Sequence, residues 1–223
     1  MRGMILAAGR GARMQNLTDN IPKPLLCVGK NYLIEYSIYA MKSIGIKEIV
    51  VNVSYKKEQI KKALGDGSKH GISIIYSEED EALETGGGIL KALPKLGNAP
   101  FLVLSSDVIF DYDLKKLPFT LQGLAHIVLI KNPEFNILGD FNLKNNFIEC
   151  GSICNYTYAN IGIYHPDFFS SCKPGKFGVG SLLKDHAKNK LVTGEIFSGF
   201  WSNVGTSEQL DYVNNLFNHD KLF

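Results

Sequence analysis

The sequence predicts an α/β fold whose sheet is mixed, mostly parallel and doubly wound, and two observations carry the prediction. In the first half, short β-branched or apolar runs alternate with amphipathic helical stretches, the spacing of βαβ units. The chain has 223 residues, of which 45% are hydrophobic, so it can bury the core of one sizeable domain. Ligands of such sheets bind beyond the carboxyl ends of the strands, which is where the polar motifs of this chain fall.

Periodicity and turn residues place the elements of the first half. The helix predicted at Ile89–Leu93 is expected to be short, because Pro94 should end it. The three glycines Gly86–Gly88 are expected to form a loop before this helix. The predicted strands are Met4–Ala7, Glu48–Val53, Ile72–Tyr76 and Phe101–Leu104, and the predicted helices are Leu33–Ile44, Lys56–Leu64 and Ile89–Leu93.

The second half has weaker periodicity and no internal repeat, linker or low-complexity tract. We expect it to extend the same sheet within a single domain over residues 1–223. The predicted strands are Ala125–Lys131, Phe141–Leu143, Tyr158–Tyr164 and Gly194–Trp201, and the predicted helices are Ser181–Lys188 and Ser207–Phe217.

Composition restricts the class of protein. The formal net charge of +2 comes from dispersed residues and does not suggest nucleic acid or a membrane as a partner. No apolar run approaches the roughly 18 residues of a membrane helix, and no secretory signal is evident. The four dispersed cysteines match no zinc-site spacing, so we expect reduced thiols and a cytoplasmic location.

The most informative segment is the glycine-rich turn that follows the first predicted strand. The run Met4–Met14 reads M-I-L-A-A-G-R-G-A-R-M, and the lysine of Pro22-Lys23-Pro24 comes soon after it. Glycines let a backbone turn tightly and present several N–H groups to an anion. Arg13 can grip phosphate oxygens bidentately, and Lys23 adds a point charge. The segment therefore predicts a cradle for a triphosphate.

Two better-known phosphate loops do not fit this turn. A dinucleotide-binding fingerprint would need a third glycine where the chain has Met14, and an acidic residue where it has Asn52. A P-loop would need Gly-Lys-Ser/Thr, whereas Ala12 follows Gly11.

The string L-A-A-G-x-G-x-R-M with P-K-P resembles the signature of the sugar-1-phosphate nucleotidylyltransferases. Further likenesses are Leu33–Tyr36, Glu84–Gly88, Gly139–Phe141 and the Trp201–Thr206 segment W-S-N-V-G-T. The resemblance implies a GT-A or Rossmann-like nucleotidyltransferase fold, with a nucleotide-binding half at 1–115 and an acceptor half at 116–223. It is strongest to members that act on N-acetylmuramate 1-phosphate with UTP, in cell-wall recycling.

The resemblance also implies roles for individual residues. Nucleoside triphosphate and sugar 1-phosphate would be the partners, and Mg²⁺ the cofactor; the oligomeric state is left open. The implied catalytic residues are Arg13, Lys23 and Asp107, and the implied metal ligands are Asp107 and Asn203. The implied nucleotide-binding residues are Ala8, Gly9, Gly11, Ala12, Arg13, Lys23, Glu84, Gly86 and Gly87. The implied sugar-phosphate-binding residues are Ser105, Asp140, Asn160 and Gly162.

Two positions depart from the family pattern. Asn203 stands where the family usually has an aspartate that is the second protein ligand of Mg²⁺, and an amide oxygen brings no charge. Ser105-Ser106 stands where relatives often have Asn-Gly or a similar pair before the aspartate, at positions that bear on acceptor contacts.

Three functions therefore stay open. The first is uridylyl transfer to an amino-sugar 1-phosphate. The second is transfer to another acceptor: mannose 1-phosphate with GTP, glucose 1-phosphate with UTP or dTTP, or phosphocholine with CTP. The third is a non-catalytic nucleotide-sugar binder. The motifs include no nucleophile arrangement, and the scattered histidines are expected to be structural or on the surface: His70, His126, His165, His186 and His219.

Overall fold

A computed structural model describes residues 1–14 and 16–218; His219, one of the histidines considered above, lies outside the described residues. The strands are β1 Gly3–Leu6, β2 Cys27–Val28, β3 Asn31–Tyr32, β4 Glu48–Val53, β5 Ser73–Glu78, β6 Phe101–Ser105, β7 Val108–Phe110, β8 Ala125–Lys131, β9 Asn142–Lys144, β10 Phe147–Glu149, β11 Tyr156–Tyr164, β12 Val192–Phe197 and β13 Trp201–Asn203. The α-helices are α1 Leu17–Asn20, α2 Leu33–Ser43, α3 Lys57–Leu64, α4 Glu84–Leu96, α5 Val179–Ala187 and α6 Ser207–Asn218.

Nine strands form one sheet in the order β5-β4-β1-β6-β11-β8-β12-β10-β9. The strands β5, β4, β1 and β6 are mutually parallel, and β8 and β12 are parallel to each other. Only β11 and β10 run against the rest. The prediction of a mixed, mostly parallel α/β sheet is therefore confirmed. Because β6 pairs with β11, the sheet continues across the boundary expected between the two halves.

Helices cover both faces of the sheet. On one face, Ile34 and Ile38 of α2 pack with Ile60 of α3 in a buried cluster. On the other face, Ile89 of α4 and Leu183 of α5 belong to a second buried cluster. Burial on both faces explains why the central strands are almost continuously apolar, since neither side of a doubly wound sheet meets water.

Helix α4 corrects the sequence prediction twice. It begins at Glu84, so Gly86–Gly88 lie inside the helix rather than in a loop before it, and it continues through Pro94 to Leu96. Proline in the last turn removes a single helical hydrogen bond. The burial of Ile89 and Leu96 against the sheet outweighs that loss.

The second half also differs from its prediction. The expected single strand Gly194–Trp201 is divided, because β12 ends at Phe197 and Trp201 begins β13, which pairs with β7 in a separate small sheet. Ser198-Gly199 makes the break, as turn residues commonly do. The short strand β10 of this half was not predicted, nor were β2, β3 and β7 of the first half.

None of the helices within residues 1–14 and 16–218 is long and apolar enough to span a membrane. The four cysteines are all free thiols.

Candidate active site

A cleft of about 460 Å³ opens at the carboxyl ends of β1, β4 and β6. Parallel strands present these ends at one edge, so segments distant in sequence meet there. Of the predicted site residues, the cleft is lined by Ala8, Gly9, Gly11, Ala12, Arg13, Lys23, Glu84, Ser105 and Asp107. The phosphate turn, the start of α4 and the strand-end aspartate therefore share one cavity.

Two glycines leave room for the cationic side chains of the cleft. Gly11 has a φ of +70°, and a Cβ atom there would lie 2.9 Å from Cβ of Lys23. A Cβ atom at Gly205 would lie 3.1 Å from Nη2 of Arg13. The absence of both side chains lets Lys23 pack against the turn and lets the Arg13 guanidinium lie against the segment after β13.

Lys23 and Asp107 form an ion pair at the floor of the cleft, between Nζ and Oδ2. The two side chains are only 10% and 19% exposed. The other carboxylate oxygen, Oδ1, is buried and has no hydrogen-bond partner among the described residues. The same is true of Oδ1 of Asn203. Asn203 is not among the residues that line the cleft, whereas Asp107 is. Buried polar atoms normally find partners, so these two unsatisfied oxygens need an explanation.

Asp107 and Asn203 are neighbours through the backbone. The N–H of Val204 donates to the carbonyl of Asp107 at 2.8 Å, and Asn203 pairs with Val108 across β13 and β7. One carboxylate oxygen and one amide oxygen are hard ligands that suit Mg²⁺, which binds through few protein ligands and through substrate phosphates. The donor set therefore fits the expected metal, although the described residues hold no cluster of three acidic, histidine or cysteine side chains.

Asn52, which was not predicted as a site residue, stabilises the phosphate turn through hydrogen bonds. Its Oδ1 accepts the N–H of Ala7 at 2.8 Å, and its Nδ2 donates to Oε1 of Glu79 at 2.7 Å. Glu79, only 1% exposed, in turn accepts the N–H of Leu83 at 2.8 Å. The network joins the turn after β1 to the start of α4. The sequence signal that could have indicated this role is the amide side chain of Asn52 within the otherwise apolar run of β4.

Gly86 and Gly87 are not among the residues that line the cleft, and their role in nucleotide binding stays a prediction. The amides of Gly86 and Gly87 donate to the carbonyl of Phe177 at 2.9 and 3.0 Å. A Cβ atom at Gly87 would lie 2.2 Å from the carbonyl oxygen of Gly175. These glycines let the segment 175–178 lie directly on the first turn of α4. Glu84, whose φ is +61°, remains at the surface of the cleft.

The segment 175–178 brings Lys176 to the cleft, a residue that the sequence prediction missed. Its backbone neighbours are fixed, since Phe177 N–H donates to the carbonyl of Leu83 at 3.2 Å and Val179 N–H to Oγ1 of Thr85 at 2.9 Å. Lys176 is exposed, and no ion pair within the described residues includes it. The cleft therefore carries a third cation, contributed by the second half of the chain.

The predicted acceptor residues are only partly brought together. Ile161 pairs with Leu104, which precedes Ser105, so Asn160 lies near the cleft but is not among its lining residues. Asn160 has a φ of +58° where the register of β11 shifts, and asparagine tolerates this conformation. Gly162 is buried within the sheet, paired with Val103.

Asp140 is engaged within the protein. Its Oδ1 accepts Nδ2 of Asn136 at 3.0 Å, and its Oδ2 accepts the N–H of Tyr158 at 2.9 Å. Its expected role as a sugar ligand remains a prediction.

Comparison with known proteins identifies the class. The nucleotidyl transferase family matches residues 2–125, which is more than half of the chain. The chain belongs to this family and is a sugar-1-phosphate nucleotidyltransferase, as the resemblance of its motifs implied.

Two relatives and one solved structure show how close the likeness is. The N-acetylmuramate alpha-1-phosphate uridylyltransferase of Neisseria meningitidis serogroup B is 41% identical over 216 residues, covering 92% of this chain and 94% of the relative. The D-glycero-alpha-D-manno-heptose 1-phosphate guanylyltransferase of Campylobacter jejuni is 31% identical, with 98% and 100% coverage. A Bacillus anthracis crystal structure, described as a glucose-1-phosphate thymidylyltransferase in complex with sucrose, superposes with a TM-score of 0.86 at 26% identity, with 97% and 94% coverage.

Proposed function

We propose that the protein transfers uridylyl from UTP to an amino-sugar 1-phosphate, N-acetylmuramate 1-phosphate, and releases pyrophosphate in a Mg²⁺-dependent reaction. The observation that supports the reaction is the pair of unsatisfied buried oxygens on Asp107 and Asn203, of which Asp107 is ion-paired with Lys23 in the cleft. The 41% identity to a uridylyltransferase over nearly the whole chain supports the choice of substrates. The four free thiols suit a cytoplasmic enzyme of cell-wall sugar recycling.

The residues of the cleft suit this transfer without a general base. A phosphate monoester has a second pKa of about 6, so the attacking oxygen is already ionised at neutral pH. Catalysis then depends on in-line placement and on charge neutralisation. Arg13 binds the β- and γ-phosphates and the leaving pyrophosphate. Lys23 contacts the α-phosphate, where charge builds up.

Asp107 and Asn203 would hold the metal through their unsatisfied oxygens. Bound there, Mg²⁺ neutralises charge on the nucleotide and acceptor phosphates. Glu84 and the turn residues around Gly9 and Gly11 shape the nucleotide pocket. Ser105 and Asn160 face the acceptor.

The proposed substrates are tested with a panel of purified triphosphates and acceptors. The acceptors are the 1-phosphates of N-acetylmuramate, N-acetylglucosamine, mannose and glucose, together with phosphocholine, each paired with UTP, GTP, CTP and dTTP. We expect the highest kcat/KM with UTP and N-acetylmuramate 1-phosphate. A higher value for GTP with mannose 1-phosphate would reassign the enzyme to guanylyl transfer. Nucleotide binding without turnover of any pair would indicate a binder.

Asn203 gives a prediction about metal affinity. Two carboxylates give Mg²⁺ a stronger field than one carboxylate and one amide, so Asn203→Asp should lower the Mg²⁺ concentration at half-maximal rate. Mn²⁺ binding, measured by electron paramagnetic resonance, should tighten in parallel. Identical Mg²⁺ titrations and unchanged Mn²⁺ binding in the two proteins would show that Asn203 is not a metal ligand.

Lys176 gives a prediction about nucleotide binding. Loss of one charged contact to a triphosphate should raise the dissociation constant for UTP about ten-fold in Lys176→Gln, and less in Lys176→Arg. Lys173→Gln is the matched control, since Lys173 is an exposed lysine of the same connection that does not line the cleft. Calorimetric titration with UTP and with uridine separates phosphate contacts from base contacts. Equal UTP affinity in Lys176→Gln and Lys173→Gln would exclude a phosphate contact.

A further inference from the structure

A second cavity lies at the same edge of the sheet as the nucleotide cleft. It has a volume of about 650 Å³, and its walls include Lys131 at the end of β8, Tyr156 at the start of β11, Phe197 at the end of β12, and Trp201. We call it the Trp201 groove. It shares no lining residue with the nucleotide cleft.

The strand register places the groove next to the acceptor side of the cleft. Trp201 is two residues from Asn203 on β13, a distance of about 7 Å at the usual rise of a strand. The indole Nε1 of Trp201 donates to the carbonyl of Ala159 at 2.9 Å, beside Asn160. Lys131 pairs with Tyr156, four residues beyond Asn160, or about 13 Å farther out along β11. One sugar ring and a lysine side chain can bridge that length together.

One wall of the groove is held in a defined position. Pro133 lines it, and Phe135 lies against Trp201 with ring centroids 6.5 Å apart. The Asp140 carboxylate accepts hydrogen bonds from Nδ2 of Asn136 and from the N–H of Tyr158. These bonds hold the segment between β8 and β9 against β11. A fixed aromatic wall of this kind can orient a bound ring.

The Trp201 groove carries a single positive charge among its described lining residues. Within the described part of the chain, Lys131 is the one charged residue that lines it, and the remaining polar side chains there belong to Asn155, Tyr156, Ser198 and Trp201. Lys131 is exposed and takes part in no ion pair among the described residues. A lone cation beside aromatic walls is complementary to a ring that carries one anionic group.

We infer that the Trp201 groove binds the part of the acceptor remote from its phosphate, and that Lys131 selects acceptors with a carboxylate substituent. This inference rests on the proposed function, since N-acetylmuramate differs from N-acetylglucosamine by a lactyl ether that ends in a carboxylate. Lys131 is then a specificity-determining residue. Arg13, Lys23 and Asp107 carry out the transfer on any acceptor.

The test compares two acceptors, N-acetylmuramate 1-phosphate and N-acetylglucosamine 1-phosphate, with UTP at saturation. In Lys131→Gln, we expect kcat/KM for the acidic acceptor to fall at least about ten-fold, mainly through KM. The value for the neutral acceptor should not change. Lys131→Arg should retain the preference, and Lys131→Glu should lower the ratio of acidic to neutral kcat/KM further than Lys131→Gln does. Lys144→Gln, an exposed lysine on β9 outside the groove, is the matched control.

Each outcome supports or overturns the inference. An acid-to-neutral ratio that is the same in Lys131→Gln and in the native protein overturns it. An equal loss with both acceptors also overturns it, because that loss would reflect folding or general positioning. If the native protein converts N-acetylmuramate 1-phosphate but shows either result, the proposed function stands and only the role of Lys131 fails. If the native protein rejects this acceptor, both fail.

Discussion

Asp107→Asn should remove nearly all Mg²⁺-dependent turnover, with a loss of at least about 100-fold, the effect of losing one preorganised electrostatic contact. The substitution keeps the shape of the side chain but removes the charge of the carboxylate that carries the unsatisfied oxygen. It also leaves Lys23 without its ionic partner. Removing one member of a buried pair can cost about 3–5 kcal/mol of folding free energy, so thermal unfolding must be measured beside activity.

Asp111→Asn is the matched control for this experiment. Asp111 is exposed, four residues from Asp107, and does not line the cleft. We expect wild-type rates and wild-type unfolding from it. Wild-type turnover at low Mg²⁺ in the folded Asp107→Asn protein would locate the metal site elsewhere.

Arg13→Ala should reduce turnover by at least about 100-fold with little change in thermal stability. Arg13 is exposed in the cleft and lies against Gly205, so it is free to meet phosphate and contributes little to the core. Arg13→Lys should recover only part of the rate, because lysine keeps the charge but not the bidentate geometry.

Arg10→Ala is the matched control for Arg13, since both arginines belong to the same glycine-rich turn. The guanidinium of Arg10 lies 5.7 Å from the centre of the Tyr55 ring, and Arg10 does not line the cleft. Equal losses in the two variants would mean that the turn needs positive charge in general. Full activity in folded Arg13→Ala would remove Arg13 from the catalytic residues.

The sequence predicted the first half well because local signals and tertiary structure agree there. The strand ending at Leu6, the phosphate turn and Asp107 are each marked by a short apolar run followed by polar residues. In a parallel sheet, such strand ends meet at one edge, so their convergence in the cleft could be predicted. The four predicted strands of this half are all present, and the bounds of β1, β5 and β6 differ from the prediction by one or two residues at an end. The short strands β2, β3 and β7 and the extent of α4 were not predicted.

Helix α4 shows where local rules fail. Glycine and proline are helix breakers on average, yet Gly86–Gly88 and Pro94 all lie within it. Their reason is tertiary: Phe177 and Gly175 approach too closely for any Cβ atom at Gly86 or Gly87. A contact between residues some ninety positions apart cannot be predicted from local composition.

The same limit explains the site residues that were missed. Lys176 reaches the cleft only because the segment 175–178 lies on α4, and Asn52 acts through a hydrogen bond to Ala7. Gly162 was predicted at the acceptor site, but its pairing with Val103 buries it in the sheet. Which face of a strand, and which of its ends, meets the cleft depends on the register, which a single sequence does not specify.

The substrates of the native protein can be identified directly from the products that it forms. The protein is incubated with Mg²⁺, an equimolar mixture of UTP, GTP, CTP and dTTP, and N-acetylmuramate 1-phosphate, and pyrophosphate and nucleotide-sugars are quantified by mass. We expect one pyrophosphate for each nucleotide-sugar formed, with UDP-N-acetylmuramate as the main product and no product when Mg²⁺ is chelated. Pyrophosphate without nucleotide-sugar, a different base in the main product, or undiminished product without Mg²⁺ would contradict it.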